Sequence, residues 1–208
     1  ESLRARPSSA ALLKLFSLVS GPDIELRRSA ALALGGFDRD LALPELMTAF
    51  GAEMEPVTRG FLLIAIGEQG GEVARSFLID VLRRRDATVR PWAALGLGIL
   101  TRGSDDQLAK DALRVLGKVA RSQEAAGAYW IGSGLARDLQ AVEPIAKILS
   151  GAADPRQRTY AATALALIGD ERAHAALAAR ATSEGSASVR VAIARSLSYF
   201  GRREDAAL

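Results

Sequence analysis

Leu26-Arg27-Arg28-Ser29-Ala30-Ala31-Leu32-Ala33-Leu34-Gly35 is a short apolar run behind a basic pair, and it is repeated along the chain. Its echoes are Val57-Thr58-Arg59-Gly60-Phe61-Leu62-Leu63-Ile64-Ala65-Ile66-Gly67 and Val89-Arg90-Pro91-Trp92-Ala93-Ala94-Leu95-Gly96-Leu97-Gly98. Two more begin at Gln157-Arg158-Thr159-Tyr160-Ala161-Ala162 and at Val189-Arg190-Val191-Ala192. The anchor arginines are Arg27, Arg59, Arg90, Arg158 and Arg190, with separations of 32, 31, 68 and 32 residues. The long gap holds room for one further unit, and a degenerate copy fills it from Gln123 to Ala136. A fixed period of this length is the signature of a repeat architecture.

Each unit reads as two helices. The first is rich in alanine, with apolar residues at helical spacing, such as Ala161, Leu165 and Ile168. Glycine stops it at Gly35-Gly36, Gly70-Gly71 and Gly169. The second helices are expected over Leu41–Phe50, Val73–Arg84, Gln107–Val119, Val142–Leu149 and Ala173–Ala181. They carry larger apolar side chains three or four apart, for example Leu43, Leu46, Met47 and Phe50. No strand-like alternation persists. Four residues before the anchor arginines stand Asp23, Glu55, Asp86, Asp154 and Ser186. The Asp and Ser among these are good N-caps, since their side chains accept from the unpaired amides of a first turn. Pro22, Pro56 and Pro155 flank these positions, where a missing N–H costs little.

Cap, Val/Leu-Arg, Ala-Ala, Ala-Leu-Gly, Gly-Asp and an apolar second helix together resemble HEAT repeats. The similarity is greatest to the short bacterial kind of phycobilisome-lyase type, and it covers almost the whole chain. The resemblance implies an all-α, right-handed α-α superhelix of the armadillo-like class, about five helix pairs plus partial end units. It also implies a concave surface, lined by second helices, that binds a partner. The degenerate unit departs from the motif, with Ala126 near the position of the arginine. Residues 1–208 are read as one HEAT-like domain. Ser8–Val19 reads as a lone second helix and the last unit is incomplete, so a fragment of a longer protein is expected.

Composition narrows the chemistry. The chain has 208 residues, no Cys and one His, which excludes disulfides, thiolate metal sites and a cysteine nucleophile. No apolar run is long enough to cross a membrane. His174 lies between alanines on a second helix and reads as a surface residue. Resemblance to deoxyhypusine hydroxylase, an enzyme of the HEAT type, would require paired His-Glu motifs, and none is present. The Gly-rich stretch Tyr129–Gly134 lacks the Lys and Ser/Thr that complete a phosphate loop. No catalytic residue, metal or cofactor is expected.

Three sets of residues remain. The anchor arginines could grip an anion, but repetition in every unit favours a structural row of ion pairs with the acids at helix starts. Trp92, Trp130, Tyr129 and Tyr160 could stack on a base; on alanine-rich helices they are better read as fillers between units. Lys110, Arg114 and Lys118 share one face of a second helix, being four apart. With Arg83, Lys147 and Arg180 on other second helices they form the candidate partner-binding set on the concave face. The expected function is a non-enzymatic scaffold for a protein or peptide partner, acidic ones included. Nucleic-acid binding through the same basic residues is the alternative, and a bilin-lyase-like subunit a third.

Overall fold

The computed structural model describes residues 9–84, 86–102, 104–118 and 123–205, and every element among them is helical. Contacts divide the chain into two compact units, Glu1–Gly96 and Leu97–Leu208. The first holds α1 (Ser9–Val19), α2 (Ile24–Gly35), α3 (Arg39–Ala52), α4 (Pro56–Gln69) and α5 (Gly71–Arg83). α6 (Arg90–Leu100) carries the boundary. The second holds α7 (Gln107–Gly117), α8 (Gln123–Leu135), α9 (Val142–Gly151), α10 (Pro155–Ile168), α11 (Glu171–Ala181) and α12 (Ala187–Asp205). A 3-10 turn, Leu139–Ala141, leads into α9.

The period sets this order. In the first unit α2 packs on α4, with the second helices α1, α3 and α5 against them. In the second unit α10 lies between α8 and α12, and α7, α9 and α11 form the other layer. This is the helix-pair stacking of an α-α solenoid, in which each pair hides its apolar side against the next. Leu34, Leu62, Leu63 and Ile66 of the first helices are fully buried, as are Leu46, Leu78 and Leu82 of the second. Ile145, Leu149, Ala161, Leu165, Leu177, Val189 and Ile193 do the same in the second unit.

Close packing depends on missing side chains. A Cβ on Gly96 would stand 2.5 Å from the Leu63 carbonyl oxygen, and one on Gly98 2.5 Å from that of Gly132. Gly60 faces the Trp92 ring and Gly127 the Tyr160 ring, each so closely that a Cβ would strike it. Trp92 and Tyr160 therefore fill notches left by glycine one unit earlier. Trp92 also packs beside Phe61, at 6.0 Å between ring centroids.

The caps follow the expected register. Asp23 accepts from the Leu26 amide (3.0 Å), Glu55 from that of Thr58 (2.6 Å) and Asp154 from that of Arg156 (2.8 Å). Ser186 differs: its hydroxyl meets that of Ser188 at 3.0 Å. A second row of caps, Asp38, Asp106, Asp138 and Asp170, opens second helices or the turn before α9. Gly169 ends α10 in the left-handed conformation, φ 70°. Of the second helices, α7 ends at Gly117, and Val119, where it was expected to end, lies outside the described residues.

Candidate partner-binding face

Four of the anchor arginines, Arg27, Arg59, Arg158 and Arg190, are engaged within the chain. Arg27 Nε donates to Glu53 Oε2 (2.6 Å), and its Nη1 to the carbonyls of Gly21 and Pro22. Arg158 repeats this with Glu184 (2.9 Å) and the carbonyls of Ala152 and Ala153. Arg190 donates to the carbonyls of Glu184 and Gly185. Arg59 reaches Asp86 (2.8 Å) and lies over the Phe50 ring. Arg27 and Arg158 thus each tie the loop before their own helix to an acid in the loop entering the next first helix, whereas Arg59 makes the acid contact and Arg190 the loop contacts. Arg28 adds a bond to Glu55, itself the cap of α4 (3.1 Å). Some partners are the helix-start acids expected from sequence, but Glu53 and Glu184 are not. They lie 26 residues downstream of their arginines, a separation that sequence alone does not single out.

Glu184 shows how strongly a staple holds its charge. Burial pulls its carboxyl upward, yet bonds from Arg158, the Ser186 amide and Arg180 outweigh that and hold it at about 2. Gln69, also missed, performs the matching task for a neutral group. Buried on α4, its amide donates to the carbonyls of Leu34, Gly35 and Phe37, which end α2.

The six candidate cations fall on second helices or at their ends. Four are engaged within the chain. Lys110 pairs with Asp105 (2.8 Å), Lys147 with Glu143 (2.9 Å) and Arg180 with Glu184 (2.9 Å). Arg114 is the most heavily used, donating to Asp111 and Gln140 and facing Asp138. Its Nε lies 2.9 Å from Asp138 Oδ2, but the N–H is not aimed at that oxygen, so the contact is electrostatic rather than a formed hydrogen bond. Burial pushes the Asp138 carboxyl up, and Arg114 and the Gln140 amide offset this only in part. Arg83 and Lys118 are exposed, and among the described residues neither has an acidic partner. Arg83 belongs to the first unit and the other five to the second, where Lys110, Arg114 and Lys118 share α7 and its end.

Between consecutive second helices run grooves. The one between α3 and α5 encloses about 650 Å³ and is lined by Leu43, Pro44, Met47, Val73 and Phe77, with Arg39, Asp40 and Glu72 among its polar residues. A second, about 360 Å³, lies between α9 and α11 with Glu143, Lys147 and Arg180. A third cavity, about 470 Å³, opens between α7 and α9 over α8. Apolar side chains stand exposed on this face: Val73 on α5 is 59% accessible and Val115 on α7 61%.

Comparison with known families places this geometry. A family model described as HEAT repeats matches residues 10–98. Residues 10–98 carry HEAT repeats. HEAT repeats generally serve as protein-interaction scaffolds, and the helix pairs beyond residue 98 keep the same period of caps and staples. The chain is also similar to a solved structure of human deoxyhypusine hydroxylase in complex with glycerol. That likeness has 19% identity and a TM-score of 0.41, and it covers 93% of this chain and 96% of that one. At that level it assigns no activity. No curated protein matches the chain. Among the described residues no group of three His, Cys, Asp or Glu is placed to hold a metal ion. No described helix is long and apolar enough to cross a membrane. His174 is exposed and its ring stands edge-on to Phe200, 5.2 Å between centroids.

Proposed function

We propose that the chain is a non-enzymatic scaffold that binds a protein or peptide partner along the face lined by its second helices. The observation that carries this reading is the apolar groove between α3 and α5, flanked by the exposed Val73 and floored by Met47 and Phe77. An open apolar groove between parallel helices suits the side chains of an extended or helical segment. Ion pairing of Lys110, Arg114, Lys147 and Arg180 weighs against nucleic acid, because a phosphate would have to displace an acid already in place.

A photo-crosslinking residue placed at Val73 or Met47 tests this in the native cell. One placed at Leu26, exposed on α2, serves as the control for the other face. The same discrete adduct from both groove positions and none from Leu26 is expected. Labelling that is equal at all three positions, or absent from the groove, overturns the reading. Filter binding of an oligonucleotide at low salt checks the alternative, and no retention is expected.

A further inference from the structure

The cavity between α7 and α9 differs in kind from the other grooves. Its lining comes from five elements, α7, α8, the 3-10 turn, α9 and α10, whereas the α3–α5 and α9–α11 grooves are each lined by two helices. Its volume of about 470 Å³ falls within the ordinary range of small-molecule sites. Small residues, Gly117 of α7 and Ala126 of α8, are among those that line it.

Its chemistry is one-sided. Tyr129, Trp130, Leu113, Ile145 and Ile148 give it apolar and aromatic walls. Among the described residues no Asp or Glu lines it, although Asp40 and Glu72 line one of the other grooves and Glu143 the other. Two cations do. Arg114 is committed to Asp111, Asp138 and Gln140, so among the described residues Lys118 supplies the positive charge that no acid answers. Gln140 and Gln157 add amide groups able to orient a polar end.

We propose that this cavity binds a small aromatic carboxylate, its ring against Tyr129 and Trp130 and its carboxylate on Lys118. Flat rings suit the aromatic walls, and a single negative charge answers Lys118, the lining cation with no acidic partner among the described residues. This site stands whether or not the second-helix face docks a protein.

Calorimetric titration of the chain with benzoate, phenylacetate and 2-naphthoate, each beside its uncharged amide, tests the proposal. One-to-one binding is expected for at least one acid, with its amide about fivefold weaker. Lys118→Gln lowers the acid to the level of the amide, and Lys118→Arg keeps the preference. Ala126→Leu fills the space and weakens acid and amide together. Trp92→Phe leaves Trp130 as the sole indole, whose emission shifts on binding. Lys118 is exposed, so its variants fold and remain decisive should Ala126→Leu not fold. Failure of all three acids to bind below about 1 mM overturns the proposal. So does equal affinity of acid and amide, or an affinity that Lys118→Gln leaves unchanged.

Discussion

Two turns of the second unit stand 32 residues apart and do the same job differently. At Gly169-Asp170 the chain leaves α10 through a glycine at φ 70°, and Asp170 caps α11. At Arg137-Asp138 it leaves α8 through an arginine at φ 47°, and Asp138 caps the 3-10 turn before α9. Asp170 is partly buried, and a hydrogen bond from Arg172 and the amide of that residue hold its carboxyl below the usual range. Asp138 is buried against Arg114 of the preceding helix pair, and burial pushes its carboxyl up. One aspartate is a local cap, the other a cap and an inter-pair contact at once. The repeat therefore fixes where an acid stands but not its proton affinity, which follows from how many aligned donors reach it and how much water remains.

The largest expected difference lies in the arginines. Arg114→Ala leaves Asp138 buried without its cation and should cost about 3–5 kcal/mol in urea unfolding. Arg172→Ala removes a mostly exposed partner and should change stability by about 0.5 kcal/mol or less. Equal costs would erase the distinction between the two turns.

Turn geometry comes next. A side chain at positive φ is strained, so Arg137→Gly should stabilise by about 1 kcal/mol, and Gly169→Ala should destabilise by a similar amount. Thermal unfolding of both variants checks the opposite signs.

The caps separate by a smaller margin and by pH. Asp170→Ala should cost about 1 kcal/mol, whereas Asp138→Asn keeps an acceptor for the Gln140 amide and should lie within about 0.5 kcal/mol of the parent at neutral pH. The signs with pH are opposite. Asp138 has a raised folded value, so its favourable contribution is complete below pH 3.8 and is lost as pH rises through that raised value. Asp170 has a lowered one, so its contribution is present above pH 3.8 and is lost as pH falls. Stability measured against pH for Asp138→Asn and Asp170→Asn should remove one slope each. A shared slope in both variants would contradict the assignment.

Much of the fold was legible because local rules recur with the period. Asp23 and Asp154 announce helix starts, Gly36 and Gly169 announce ends, and the arginines mark the register between them. The partner of each arginine was less legible. Glu53 lies two residues before the capping Glu55 and is unremarkable in sequence, yet it receives Arg27. The aromatic residues were readable as fillers, but the glycines that receive them were not, since contact across a whole repeat leaves no local trace. Of the six candidate cations, sequence showed position alone. That four are held by acids of this chain, and that Lys118 borders a cavity with no acid among its described lining residues, needed three dimensions.

The notches at Gly60 and Gly127 constrain how this chain can drift. An alanine at position 60 collides with the indole of Trp92, whereas a leucine at 92 leaves a void that a larger residue at 60 could then occupy. Substitutions at such paired sites become tolerable in one historical order only, ring first and glycine second. Lineages that exchange the pair must pass through the loosened intermediate, not the crowded one.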